Sequence, residues 1–163
     1  MKRQSKNNNK GELTRAKRYV LRLLGRRPYS KKEVEDKLRR QGFGEVIIKQ
    51  VREELTKLNL INDEEFATSY IEAKLSGKPK GHLLLTRDLQ RKGINPEIIK
   101  KVINRFLPKE KEILLAQELA EKKIKKERSL SKSPIKQKLY FYLRGRGFTE
   151  EIIEEVMEKI NYE

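Results

Sequence analysis

The apolar positions of this chain follow a frame that occurs three times. The stretches LRRQGFGEVIIKQV (Leu38 to Val51), LQRKGINPEIIKKV (Leu89 to Val102) and LRGRGFTEEIIEEV (Leu143 to Val156) align on a glycine, Gly42, Gly93 or Gly147. Counted from that glycine, leucine stands at −4 (Leu38, Leu89, Leu143) and an apolar residue at −8 (Val34, Leu85, Leu139). Phe43, Ile94 and Phe148 stand at +1, and valine at +9 (Val51, Val102, Val156). Between them an isoleucine pair occupies +5 and +6: Ile47 and Ile48, Ile98 and Ile99, Ile152 and Ile153. The glycines are 51 and then 54 residues apart. A fixed period of this length marks a repeat architecture in which each unit is one supersecondary element.

The frame predicts two helices joined at the glycine. Positions −8 and −4 are one helical turn apart and share a face. The glycine can take the left-handed conformation that closes a last turn, and the apolar residue after it folds back on the finished helix. Asn95-Pro96-Glu97 then reads as a cap, a first-turn proline and a first-turn acid, and Thr149-Glu150-Glu151 as a similar start. Upstream of each copy a further helix is expected. Ala16, Tyr19, Val20, Leu23 and Leu24 have helical spacing in the first, and Phe66, Ala67, Tyr70, Ile71 and Leu75 in the second. In the third they are Ile113, Leu115, Ala116, Leu119, Ala120 and Ile124, with a longer link to the glycine. The expected fold is all-α: three tandem three-helix repeats forming an elongated, curved modular array. The expected bounds are 12–60, 61–108 and 109–163, behind a disordered basic arm over 1–11 that lacks any apolar period. Units of about 50 residues bury little apolar surface alone, so they are expected to stack.

Local signals refine this. Ser30 with Glu33 reads as a capping box opening the second helix. In Asn62-Asp63-Glu64-Glu65, Asp63 is expected to cap the fourth helix, with the two glutamates near its positive end. Helix seven is expected over about 109–128, and helix eight from Ser133-Pro134. Tyr140, Phe141 and Tyr142 form an aromatic run in which an outward tyrosine could stack on a base.

Charge changes the picture most. The 163 residues carry a net charge of +16. Residues 1–18 hold seven Lys/Arg and one acid, or +6, which leaves +10 for the rest. The basic character therefore belongs to the body of the chain, and a polyanionic partner is the natural reading. Residues 122–138 are the densest basic stretch, with eight Lys/Arg and one acid. The last helix is the reverse: residues 149–163 hold Glu150, Glu151, Glu154, Glu155, Glu158 and Glu163 against Lys159 alone. That face is expected to point away from phosphate, toward solvent or a basic protein surface.

Catalytic chemistry is not visible. There is no phosphate-cradling glycine loop and no nucleophile triad. With no cysteine and one histidine, His82, no thiolate site or metal-ligand set is expected, and His82 reads as a first-turn surface residue. An enzyme, a metal and a cofactor are not expected. No apolar run approaches the ~20 residues of a membrane span, and no secretory signal is expected, since no apolar stretch directly follows the basic start. Two functional readings remain from the residues alone. One is a helix-turn-helix DNA reader, which the acidic final helix opposes in the third copy. The other is a modular protein that lies along an extended polyanionic assembly.

The segments AKRYVLRLLGRRPYSKKEVEDKLRRQGF, LINDEEFATSY and KGHLLLTRDLQRKGI resemble the RecX family, regulators of the bacterial recombinase RecA, over roughly residues 13–160. The resemblance implies three tandem three-helix repeats and a cytoplasmic monomer without catalysis. Its implied partners are the groove of the RecA–DNA filament and single- and double-stranded DNA. The implied consequence is modulation, mainly inhibition, of ATPase, strand exchange and coprotease activity in recombination, repair and the SOS response. On this reading the expected DNA or filament contacts are Arg26, Arg27, Lys31, Lys32, Arg39, Arg40, Lys78, Lys80, Arg87, Arg91, Lys92, Lys122, Lys123, Lys125, Lys126 and Lys132. The expected protein-facing residues are Glu150, Glu151, Glu154 and Glu155.

Overall fold

The structure, a computed structural model, describes the backbone of residues 2–127 and 132–160 and the side chains of 9–127 and 135–160. Among these residues there are nine helices and no strand: α1 (Lys2–Leu24), α2 (Lys31–Arg40), α3 (Glu45–Lys57), α4 (Asp63–Ser76), α5 (His82–Arg91), α6 (Pro96–Phe106), α7 (Lys109–Lys126), α8 (Lys132–Gly145) and α9 (Glu150–Lys159). Each consecutive three enclose their own apolar core. Every apolar position of the repeated frame is buried except Ile98, which is partly buried against the second core. Leu115 packs against both the second and third cores. The accessible surface is 11007 Å², against about 8,500 Å² for a compact protein of this mass. The excess is what three thin cores in tandem should show.

The glycines do what the frame predicts. Gly42, Gly93 and Gly147 have φ of 82°, 75° and 86°. In each copy the residue after the glycine donates its N–H to the carbonyl of the −4 leucine: Phe43 to Leu38 at 3.2 Å, Ile94 to Leu89 at 3.1 Å, Phe148 to Leu143 at 3.3 Å. This is a Schellman closure, with the +1 apolar residue sealed against the helix it ends. The Ser30–Glu33 capping box is present, and Asn95 and Thr149 cap α6 and α9.

Two expectations need correction. Of the arm expected over 1–11, residues 2–11 are not a separate irregular segment, because α1 runs from Lys2, and Met1 lies outside the described residues. Once the apolar turns at Ala16 and Val20 nucleate a helix, extending it costs little, and Thr14 Oγ1 bonds back to Lys10 O at 3.0 Å. Nor does Asp63 cap α4. Asn62 does, accepting from the N–H groups of Glu64 and Glu65 at 2.9 and 3.2 Å.

Asp63 instead works across modules. Its Oδ1 accepts the N–H of Lys31 at 2.9 Å, the first residue of α2. Beside it Ser30 Oγ donates to Lys92 O at 2.8 Å, Lys32 Nζ donates to Arg91 O at 3.1 Å, and Lys92 Nζ reaches Glu33 Oε1 at 2.6 Å. The start of α2 is thus seated on the end of α5. The same junction recurs one module later. Gly81 N–H donates to Arg146 O at 2.8 Å, Leu83 N–H to Gly147 O at 2.9 Å, and His82 N–H to Glu112 Oε1 at 2.7 Å. His82 is therefore half-buried at a junction rather than free at the surface, because its backbone N–H is claimed by the next module.

Close approach demands the glycines here. A Cβ on Gly93 would lie 2.7 Å from Lys32 Cβ, and one on Gly147 would lie 2.5 Å from Leu84 Cγ. At Gly42 nothing lies within 4 Å. The Gly42→Ala variant should therefore lose only the left-handed strain, about 1–2 kcal/mol. Gly93→Ala adds an overpacking clash and should lose about 2–5 kcal/mol. Urea unfolding of the two variants checks this; equal losses would contradict the junction.

Candidate nucleic-acid and partner interface

The expected contact residues divide by what the fold already asks of them. Seven hold the structure together. The Arg27 guanidinium lies 3.7 Å from the Tyr29 ring centroid and bonds Pro28 O at 2.9 Å. Lys32 and Lys92 serve the first junction as described. Arg39 pairs with Glu45 at 2.7 Å and Asp36 at 3.2 Å. Lys123 pairs with Glu127 at 3.0 Å.

Lys80 and Arg91 converge on Asp88, which is 4% exposed. Tyr70 OH donates to the same carboxylate at 2.8 Å, and Lys80 Nζ at 2.5 Å. Burial pushes the Asp88 carboxyl up, but the bonds from Lys80, Tyr70 and Arg91 outweigh it and hold it below its ordinary value. Burial and the bond to Asp88 push the Tyr70 hydroxyl up. This network joins α4, the turn before α5, and α5 itself.

Among the described residues, eight of the expected cations have no hydrogen-bond or ion-pair partner for their side chains: Arg26, Lys31, Arg40, Lys78, Arg87, Lys122, Lys125 and Lys126. The last three share the final turns of α7, where spacings of three and four residues put them on neighbouring surface. Lys132 opens α8, and its side chain lies outside the described residues. Among the expected protein-facing acids, Glu150 accepts from Tyr140 OH at 2.8 Å, Glu151 pairs with Lys109, and Glu155 pairs with Lys159 at 2.6 Å. Glu154 is exposed, with no partner among the described residues.

The exposed member of the aromatic run is Phe141, 59% accessible. Tyr140 turns aside to Glu150, and Tyr142 lies under Lys123 and Arg146 at 5.7 and 5.3 Å. Phe141 stands three residues from both Lys138 and Arg144 on α8. Glu127 ties α8 to the end of α7 by accepting from Lys138 and Lys123, each at 3.0 Å. An exposed ring among cations is a platform for a stacked base with its phosphates nearby. The sequence showed the aromatic run but not which member faces out.

An open groove of about 600 Å³ lies between α2, α3 and the start of α4. Its cations Lys31, Lys32, Arg52 and Lys57 alternate with Glu35, Glu53 and Asp63, so it is no phosphate cradle. Among the described residues no group of three or more His, Cys, Asp or Glu could hold a metal, and no helix is long and apolar enough to cross a membrane.

Three family profiles match the three modules: "RecX, first three-helix domain" over 16–55, "RecX, second three-helix domain" over 62–103, and "RecX, third three-helix domain" over 110–157. A protein named "Regulatory protein RecX" from Pelodictyon phaeoclathratiforme is 32% identical over 142 residues, covering 87% of this chain and 84% of its own. Its namesake in Chlorobaculum tepidum is 34% identical over 154 residues, covering 93% and 92%. That of Bacillus subtilis (strain 168) is 33% identical over 144 residues, and there the chain spans 54% of the relative's length. The crystal structure of RecX from Lactobacillus salivarius superposes with a TM-score of 0.83 at 26% identity, covering 91% of this chain and 96% of that one.

The Asp88 network gives a pH prediction. Its lowered carboxyl contributes stability that is fully present above the ordinary value of 3.8 and is lost as pH falls through the lowered one. Asp88→Asn should cost about 2–3 kcal/mol at pH 7. The gap from the parent should narrow as pH falls below about 4. Thermal melts at pH 7 and pH 3 measure it.

Proposed function

Since the chain belongs to the RecX family of regulatory proteins, we propose that it modulates a RecA recombinase, mainly as an inhibitor. It binds in the groove of the RecA–DNA filament and alters ATP hydrolysis, strand exchange and coprotease activity. It acts in the cytoplasm as a monomer, without catalysis of its own. The observation that carries the reading is the arrangement of charge on the array. Among the described residues eight cations are left unengaged by the fold, spread from Arg26 in the first module to Lys126 in the third, and this suits a long polyanion better than one short site.

Under this reading Arg26, Lys31, Arg40, Lys78, Arg87, Lys122, Lys125 and Lys126 face DNA phosphates. Phe141 stacks on an unpaired base beside the α7 cluster. Glu154, and the acidic face of α9 around it, meets recombinase instead of DNA, because phosphate would repel it. Bound across several filament subunits, the array obstructs the second strand or the subunit motion coupled to ATP.

The test is RecA's DNA-dependent ATPase with this protein titrated in. A fall in turnover at micromolar protein is expected, and no change at micromolar excess would refute the reading. If the chain were instead a free-standing helix-turn-helix protein, footprinting on random duplex would yield to a sequence-specific protected site. Direct binding to single strands gives a further check. With about six phosphates neutralised, the log–log salt slope should be about −4. Phe141→Ala should weaken that binding about tenfold through the lost stack. A flat salt response would remove the DNA contacts from the proposal.

A further inference from the structure

Each internal junction has the same acceptor half. It comprises a left-handed glycine bare of a Cβ, the carbonyls around it, and a carboxylate from the module's first helix. Gly93 and Gly147 are covered by the start of the preceding module's middle helix. The accepting carbonyls are those of Arg91 and Lys92 in one case, and of Arg146 and Gly147 in the other. The carboxylates are Asp63 and Glu112, each taking the first N–H of the docked helix.

The first module has the whole set and nothing on it. Gly42 holds φ of 82° with nothing within 4 Å of where a Cβ would be. The carbonyls of Arg40, Gln41 and Gly42 accept no hydrogen bond among the described residues. The carboxylate is also in register. Asp63 and Glu112 stand four residues before the buried alanines Ala67 and Ala116, and Glu12 stands four before the equally buried Ala16. Glu12 has no ion pair or hydrogen bond of its side chain among the described residues.

We propose that this end of the first module is a docking site for the N-terminal turn of a helix in another protein. The two filled junctions define the occupant's chemistry. It starts with serine or glycine, offers free N–H groups, lays an aliphatic stem across the glycine, and carries no negative charge beside Glu12. A second copy of this chain does not offer such a turn: the start of α3, led by Gly44 and unseated, carries Glu45 in its first turn. The starts of α2 and α5 are already seated. In α8 the residue at the matching register is Ile135, 4% exposed and inside the helix. Under the function proposed above the other protein is the recombinase, and the inference rests on that reading for the partner's identity.

The test compares the full chain with Gly42→Asn and Glu12→Ala on RecA filaments assembled on single-stranded DNA, by co-sedimentation. Asparagine tolerates the left-handed region, so Gly42→Asn keeps the fold while placing a side chain where the helix must land. Filament binding is expected to weaken about tenfold for Gly42→Asn and about threefold for Glu12→Ala, with melting temperature and binding to free DNA unchanged. Unchanged filament binding by both variants overturns the inference and leaves the proposed function standing. Failure of the parent chain to bind filaments overturns both. Parent dimers in sedimentation velocity that Gly42→Asn abolishes would assign the site to a second copy, against the proposal.

Discussion

A helix leaves its first N–H groups without partners inside itself. At the starts of α2 and α5 the neighbouring module supplies partners for them. Gly81, His82 and Leu83 donate in turn to Arg146 O, Glu112 and Gly147 O, so three consecutive N–H groups at the start of α5 are satisfied from outside its own core. The arrangement works because a left-handed glycine both ends one helix and leaves room beside its last carbonyls. Each core has about ten buried apolar residues, too few to be secure alone. The junctions therefore do two jobs: they close helix ends and they tie marginal units into one array.

The junction has a direction. Middle-helix starts point forward along the chain and glycine ends receive them, so the contact is heterologous, as in repeat arrays that continue until something stops them. Here the third module stops it by running α8 past the docking register, with Ile135 inside the helix. Among the described residues nothing covers the glycine end of the first module. The same logic divides the cations. Lys32, Lys80, Arg91 and Lys92 are consumed by junctions and the Asp88 network, while others, in the loops, on α2 and α5 and on the last turns of α7, remain for an outside anion.

Much of this was legible in the sequence. The glycine frame gave the helix pairs, because a left-handed closure and a buried stripe each require particular residue types at particular steps. Ser30, Asn95 and Thr149 announced their helices through local capping alone. What stayed hidden depended on contacts between distant segments. Asp63 looks like a cap for the helix it begins, and only the approach of Lys31 from another module turns it outward. Lys80 and Arg91 look like free cations until Asp88 is buried between them. The polar stretch before Gly11 has no apolar stripe, so its helicity follows from the helix it extends. Tyr140, Phe141 and Tyr142 cannot be ranked without knowing that Glu150 draws Tyr140 aside.

The account depends most on helix starts being sealed by the next module, and amide hydrogen exchange reads that directly. First-turn amides ordinarily exchange fast, because they lack helical partners. Lys31, Gly81, His82 and Leu83 are predicted to be protected to the level of their cores, while Glu45 and Val46 at the unseated start of α3 exchange freely. Exchange at Gly81, His82 and Leu83 as fast as at Val46 would contradict the account.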